Sequence, residues 1–204
     1  MATLGMSPAQ PGLTGVRRVA VYCGSSAGAR PEYRTAGAET GRILAERGLE
    51  LVYGGGRVGL MGAVADSALG HGGLVHGIIT TALLEAEVGH TGLTSLEVVS
   101  TMHERKLRMA DLADAFLALP GGFGTMDELC EVLTWTQLGI QRKAVALVNV
   151  LGYWDPLLAM TATAVAEGFM KPTHGALVRS ASNPLEAIEL LLDATPLPEP
   201  KWIT

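Results

Sequence analysis

The sequence predicts an α/β protein built on a doubly wound parallel sheet with helices on both faces. Three observations carry that expectation. From Val16 onward short apolar runs alternate with longer stretches of helical period, and glycine or proline marks the joints between them. The apolar content, 48% of 204 residues, is rich in Ala, Leu and Val with only 5% aromatics. The 26 glycines are spread along the chain, as many tight strand-to-helix turns require.

In chain order, RRVAVYC (17–23) reads as a first strand, 31–47 as a helix ended by Gly48, and LELVY (49–53) as a second strand. The turn GGGRVGLMG (54–62) leads into a helix over 59–69. LVHGII (74–79) and SLEVVS (95–100) are the third and fourth strands, and 102–113 has helical character. The unbroken apolar run AFLALP (115–120) reads as a fully buried fifth strand, 125–138 as the next helix, and KAVALVNV (143–150) as a sixth strand. Two further helical stretches follow Trp154, broken around Pro172 and at Asn183-Pro184. Residues 1–15 read as a disordered leader, 16–193 as one domain, and 194–204 as a proline-rich surface arm. Five or six strands, each followed by a helix, place any ligand outside the carboxyl ends of the strands.

Composition excludes several classes of partner. A net charge of −5 leaves no basic field for a polynucleotide, so nucleic acid is not expected. Cys23 and Cys130 are too few for a disulfide framework, the first fifteen residues lack the pattern of a secretory signal, and no apolar run is long enough for a membrane span. A soluble, cytoplasmic protein is expected. His71, His76, His90, His103 and His174 lack ligand spacing, so neither a metal nor another cofactor is expected.

The strand-end rule directs attention to CGSSAG after the first strand, GGGRVGLMG after the second and PGGFGTMDE (120–128) after the fifth. Any one such turn is most simply a tight connection. Three at one sheet edge call for a ligand, because each glycine costs backbone entropy on folding. Gly54 and Gly55 in the second turn, and Gly121, Gly122 and Gly124 in the third, let backbone approach an anion, with Thr125 as N-cap or hydroxyl donor to a phosphate. Neither a dinucleotide fingerprint nor a P-loop is present. Glu128 lies near the start of the helix that should hold the phosphate, with Glu131 and Trp135 on roughly its face. Cys23 and Ser25 could touch the ligand but read first as turn residues, and Cys130 reads as core.

The combination GGGRVGLMG, MHERK (102–106), PGGFGTMDE and LTWTQLGI (133–140), in that order and spacing, resembles the LONELY GUY family of cytokinin riboside 5′-monophosphate phosphoribohydrolases, over 16–192. The resemblance implies a Rossmann-like fold, a homodimer, and release of the base from N6-modified AMP with ribose 5-phosphate as the other product. It assigns Arg105 and Glu128 to catalysis. It also implies substrate contacts from Lys106, Thr134, Glu87 and the run Gly122, Phe123, Gly124, Thr125, Met126, Asp127; Glu87 lies in a segment, LLEAEVGHTG, that matches only loosely. The family is also described as possible lysine decarboxylases, but none of Lys106, Lys143, Lys171 and Lys201 sits in a recognisable pyridoxal phosphate site.

N-glycosidic cleavage builds positive charge on the ribose, so a carboxylate beside the anomeric carbon is the expected catalyst. Glu128 would orient or deprotonate water, and Arg105 would hold Glu128 ionised or engage ribose or phosphate by its planar fork. The alternative is a non-hydrolytic nucleotide or molybdenum-cofactor carrier. A third reading, a sensor or partner-binding protein, would make Leu129, Val132 and Leu133 an interface. In either case the helix carrying them is expected at a dimer contact.

Overall fold

The computed structural model describes residues 15–87 and 89–193. The expected leader, apart from Gly15, and the expected arm 194–204 lie outside the described residues. Strand β1 (Arg18–Tyr22) is followed by α1 (Pro31–Glu46), β2 (Glu50–Tyr53), α2 (Gly59–Gly70), β3 (Val75–Thr80) and α3 (Thr81–Glu87). Then come β4 (Ser95–Val99), α4 (Met102–Leu112), β5 (Ala115–Ala118), α5 (Phe123–Leu138), β6 (Ala144–Val148), and a 3-10 turn (Val150–Gly152). The chain continues with α6 (Asp155–Ala166), α7 (Pro172–Gly175), β7 (Arg179–Ala181) and α8 (Pro184–Leu192).

Among the described residues the strands form one parallel sheet in the order β4-β3-β2-β1-β5-β6-β7. The chain winds outward from β1 in one direction and then crosses to its other side at β5. This reversal opens a crevice at the carboxyl ends of β1 and β5. Alternate residues of β1 feed the two cores: Val19 and Val21 pack beneath α1, α2 and α8, whereas Ala20 and Tyr22 pack with Met109, Leu129 and Val132 on the other face.

Two short elements were not anticipated. β7 pairs Arg179, Ser180 and Ala181 with Ala146, Leu147 and Val148, but RSA carries almost no strand signal by itself. α3 follows β3 directly, without glycine or proline to announce it. Helix α5 begins two residues earlier than expected. Its N-cap is Gly122, so Thr125 lies in the first turn, buried, instead of capping it. Helix α4 starts as its sequence suggests: Thr101 Oγ1 accepts from Glu104 N at 3.1 Å, and Glu104 Oε2 accepts from Ser100 N at 2.9 Å.

Glycine sets the contact between α1 and α2. A Cβ on Gly41 would lie 2.1 Å from the Val64 carbonyl oxygen and 2.9 Å from Ala68 N, both backbone atoms of α2. Gly41→Ala is therefore expected to force the helices apart and cost about 1–3 kcal/mol of stability, read as a lower midpoint in urea unfolding with an unchanged m-value.

Candidate active site

A cavity of about 340 Å³ opens at the crevice between β1 and β5. Its walls come from the turn after β1 (Cys23, Gly24, Ser25), Gly54 after β2, the start of α5 (Gly122 to Thr125), and Arg105 and Glu128. Leu83, Met61, Met102 and Met109 add an apolar, polarisable side. The first turn of α5 presents N–H groups that have no carbonyl one turn back to bond, and the glycine N-cap supplies no side chain to cover them.

Arg105 is 7% exposed, and its guanidinium is pinned from below. Nε donates to the Ile78 carbonyl at 2.9 Å and Nη2 to the Gly54 carbonyl at 3.1 Å. A Cβ on Gly54 would stand 2.0 Å from Nη2, so only glycine leaves room for this arrangement. Nη1 contacts Met102 Sδ at 3.5 Å and lies 3.9 Å from Glu128 Oε1.

The Glu128 side chain is only 13% exposed. Burial pushes its carboxyl up to about 7; Arg105 opposes that shift, and the negative charge of Asp127 adds to it. Arg105 acts in the direction expected of it, favouring the ionised form, but desolvation outweighs a guanidinium held 3.9 Å away and already bonded to two carbonyls.

Lys106 is buried beside Arg105 but outside the cavity lining. Its Nζ donates to Asp127 Oδ2 at 3.0 Å and Glu131 Oε1 at 3.1 Å, tying α4 to α5. Burial alone would lower the ammonium's pKa; the two carboxylates more than reverse this and leave it raised. Asp127 is thus turned toward Lys106. Met126 is exposed and away from the cavity wall, whereas Phe123 stands at its rim, 89% exposed. Gly121 lies behind the wall, so close to Thr125 that a Cβ would sit 2.1 Å from its hydroxyl. Gly55, at φ +76°, packs against Ile79 and Leu96. Thr134 lies on the outer flank of α5, its hydroxyl donating to the Cys130 carbonyl at 2.7 Å. The side chain of Glu87 lies outside the described residues.

Cys23 does line the cavity, with its thiol pushed up by burial and by the nearby Glu128 charge, so it stays protonated. Cys130 is exposed, not core: two residues beyond Glu128 the helix has turned it to the outer flank. Leu129 and Val132 are buried in the protein's own core, which removes them from any interface, and Leu133 is half-buried. Met102, Arg105 and Met109 share one face of α4 by their spacing, a signal that could have placed both methionines in the site. Met61 and Leu83 arrive from other elements without such a signal. Among the described residues no group of three or more His, Cys, Asp or Glu side chains is placed to hold a metal.

The reversed strand order and a cavity walled by strand-end glycine turns define a Rossmann-like α/β protein with its candidate site at the switch point. Residues 61–191 match the profile of the family described as possible lysine decarboxylase. A probable cytokinin riboside 5′-monophosphate phosphoribohydrolase of Oryza sativa subsp. japonica is 48% identical over 181 residues, covering 89% of this chain and 80% of that protein. A cytokinin riboside 5′-monophosphate phosphoribohydrolase of Arabidopsis thaliana is 47% identical over 181 residues, covering 88% and 83%. The chain belongs to this family, the LOG family. Among solved structures, the molybdenum cofactor carrier protein of Chlamydomonas reinhardtii superposes with a TM-score of 0.66 at 18% identity, over 87% of this chain and 99% of that one, and shares the fold.

The buried carboxyl has a measurable consequence for stability. Its pKa in the folded protein, about 7, lies above the ordinary 4.5. Between those values the folded chain keeps a proton that the unfolded chain has released, so this group's contribution falls as pH rises through that window. Glu128→Gln is expected to be more stable than the parent at pH 8, by up to about 3 kcal/mol, with the gap shrinking toward pH 4.5. Urea unfolding at several pH values measures it, and a pH-independent gap would contradict a carboxyl whose pKa burial raises.

Proposed function

We propose that the protein hydrolyses the N-glycosidic bond of N6-modified adenosine 5′-monophosphate, giving the free base, a cytokinin, and ribose 5-phosphate. The observation that carries this reading is Glu128, a carboxyl held near neutrality beside Arg105 on the wall of a glycine-lined cavity. The names of its LOG relatives point to the same chemistry.

The 5′-phosphate sits against the first turn of α5, where unpaired N–H groups and the positive end of the helix dipole favour an anion. The ribose then lies along the cavity toward Glu128, and the purine meets the Met61, Met102 and Met109 side. As the bond from C1′ to the base nitrogen lengthens, the ribose takes on oxocarbenium character. Glu128, ionised, accepts a proton from water as its oxygen bonds to C1′, and that proton leaves with the departing base. Arg105 holds the adjacent positive charge that steadies Glu128 as a carboxylate and orients it through Nη1. A carrier would gain nothing from a carboxyl poised near neutral pH. Decarboxylation through a lysine Schiff base is disfavoured, because Lys106 is bound by two carboxylates and Lys143 Nζ donates to the Ala110 carbonyl at 2.7 Å.

The working unit is a homodimer in this reading. None of the twelve residues of α6, an apolar helix, is fully buried among the described residues. A groove of about 250 Å³ between α5, α6 and α7 is lined by Leu133, Thr134, Leu157, Met160 and Met170. Met160 is 65% exposed and Phe169 84%. A second copy covering this face would bury that apolar surface. A cytoplasmic site of action suits two free cysteines. Among the described residues no helix is long and apolar enough to cross a membrane.

Incubation with AMP and N6-isopentenyl-AMP, followed by chromatography, should yield free base and ribose 5-phosphate; no base from either substrate would refute the hydrolase. Glu128→Gln should lower kcat by about 10²–10⁴-fold while AMP still binds. For the parent, kcat/KM should rise with pH through about 7 and level off above it, as Glu128 becomes ionised. Met160→Glu is expected to shift the protein from dimer to monomer in sedimentation velocity, and a parent that sediments only as monomer would remove the dimer.

A further inference from the structure

Tyr153 stands outside the cavity wall, yet its hydroxyl donates to the carbonyl oxygen of Gly121, the residue just before the N-cap of α5. We propose that Tyr153 is a positioning residue that sets the Gly121–Gly122 peptide so that the Gly122 N–H faces the bound phosphate. The inference rests on the phosphate-binding part of the function proposed above.

In a trans peptide the C=O and the next N–H point in opposite directions, and no cis peptide occurs among the described residues. Tyr153 and Gly121 both line a neighbouring cavity of about 320 Å³, while Gly122 lines both that cavity and the catalytic one. A carbonyl drawn toward Tyr153 therefore turns the Gly122 N–H to the catalytic side. Donation to the carbonyl also polarises the peptide and strengthens its N–H as a donor. Gly121 and Gly122 have no Cβ to restrain this peptide, so an external bond has a clear purpose.

The tyrosine is itself held firmly. It follows Leu151, a non-glycine residue at φ +56°, and Gly152 at φ +71°. That conformation is costly for leucine and persists only where its surroundings enforce it. Asn149 provides the enforcement: Nδ2 donates to Asp155 Oδ1 and Oδ1 accepts from Trp154 N, both at 2.7 Å. The Tyr153 ring packs edge-on against Trp154 at 5.1 Å and Tyr33 at 5.9 Å.

Tyr153→Phe keeps these ring contacts and deletes only the donor. It should weaken binding of inorganic phosphate and ribose 5-phosphate and raise KM for N6-isopentenyl-AMP, each about 5–10-fold. Expected with this are a kcat within about twofold of the parent and an unchanged inhibition constant for adenosine, which lacks the phosphate. Tyr33→Phe, which leaves the bond to Gly121 intact, should match the parent in phosphate binding. Unaltered phosphate affinity in Tyr153→Phe would overturn the inference. So would equal losses for phosphate and adenosine, which would mark a general packing defect. A parent that binds phosphate but releases no base would refute the hydrolase and leave Tyr153 to be judged on phosphate affinity alone.

Discussion

The site depends on the seating of one buried guanidinium. Arg105 can lie beneath the crevice because Gly54 has no Cβ, and because the carbonyls of Gly54, just after β2, and of Ile78, one residue past the last β2 pairing of β3, accept its two N–H bonds. A charge this deep would be prohibitive unless it were hydrogen-bonded. Those two bonds satisfy the lower side of the fork and leave Nη1 on the side of Glu128. The parallel sheet thus supplies both the acceptors and the crevice in a single feature, the carboxyl ends of its central strands.

Around that guanidinium the charges divide into two groups of different character. Lys106, Asp127 and Glu131 form a tight, satisfied cluster that locks the start of α5 against α4. Glu128, on the next position of the same helix, is turned inward and poorly solvated, with Arg105 Nη1 3.9 Å from its carboxylate. Neighbouring acidic residues therefore have different tasks because a helix turns them about 100° apart. One braces the frame and the other keeps a proton within reach near neutral pH.

Helix α6 shows a different economy. Leu157 and Leu158 at its start pack against the chain's second core cluster, beside Leu129, Val132 and Trp154, but none of its residues is fully buried. Of the α5 residues that pattern alone would assign to an interface, Leu129 and Val132 are instead consumed internally, and Leu133 is half-buried at the groove beside α6. The large apolar side chains left exposed lie farther along the chain, at Met160 and Phe169.

Periodicity and punctuation in the sequence determined the strand and helix alternation through β6, the parallel sheet, and the three glycine turns at one edge, because these depend on local spacing and on backbone freedom. Glu128 was legible by itself only as a carboxylate beside a glycine turn, and its pairing with Arg105 was implied by the resemblance that the motifs carry. Short elements such as β7 and α3 were not, since three or seven residues carry too little pattern to outweigh context. Only the tertiary structure decided that Lys106 and Asp127 face each other, that Thr134 lies on the outer flank, that Cys130 is exposed, and that Leu83 and Met61 enter the cavity. It alone decided the protonation of Glu128 too. Those properties arise from distances between elements far apart in sequence and from the loss of water around a charge, and neither quantity is written in the order of residues along one segment.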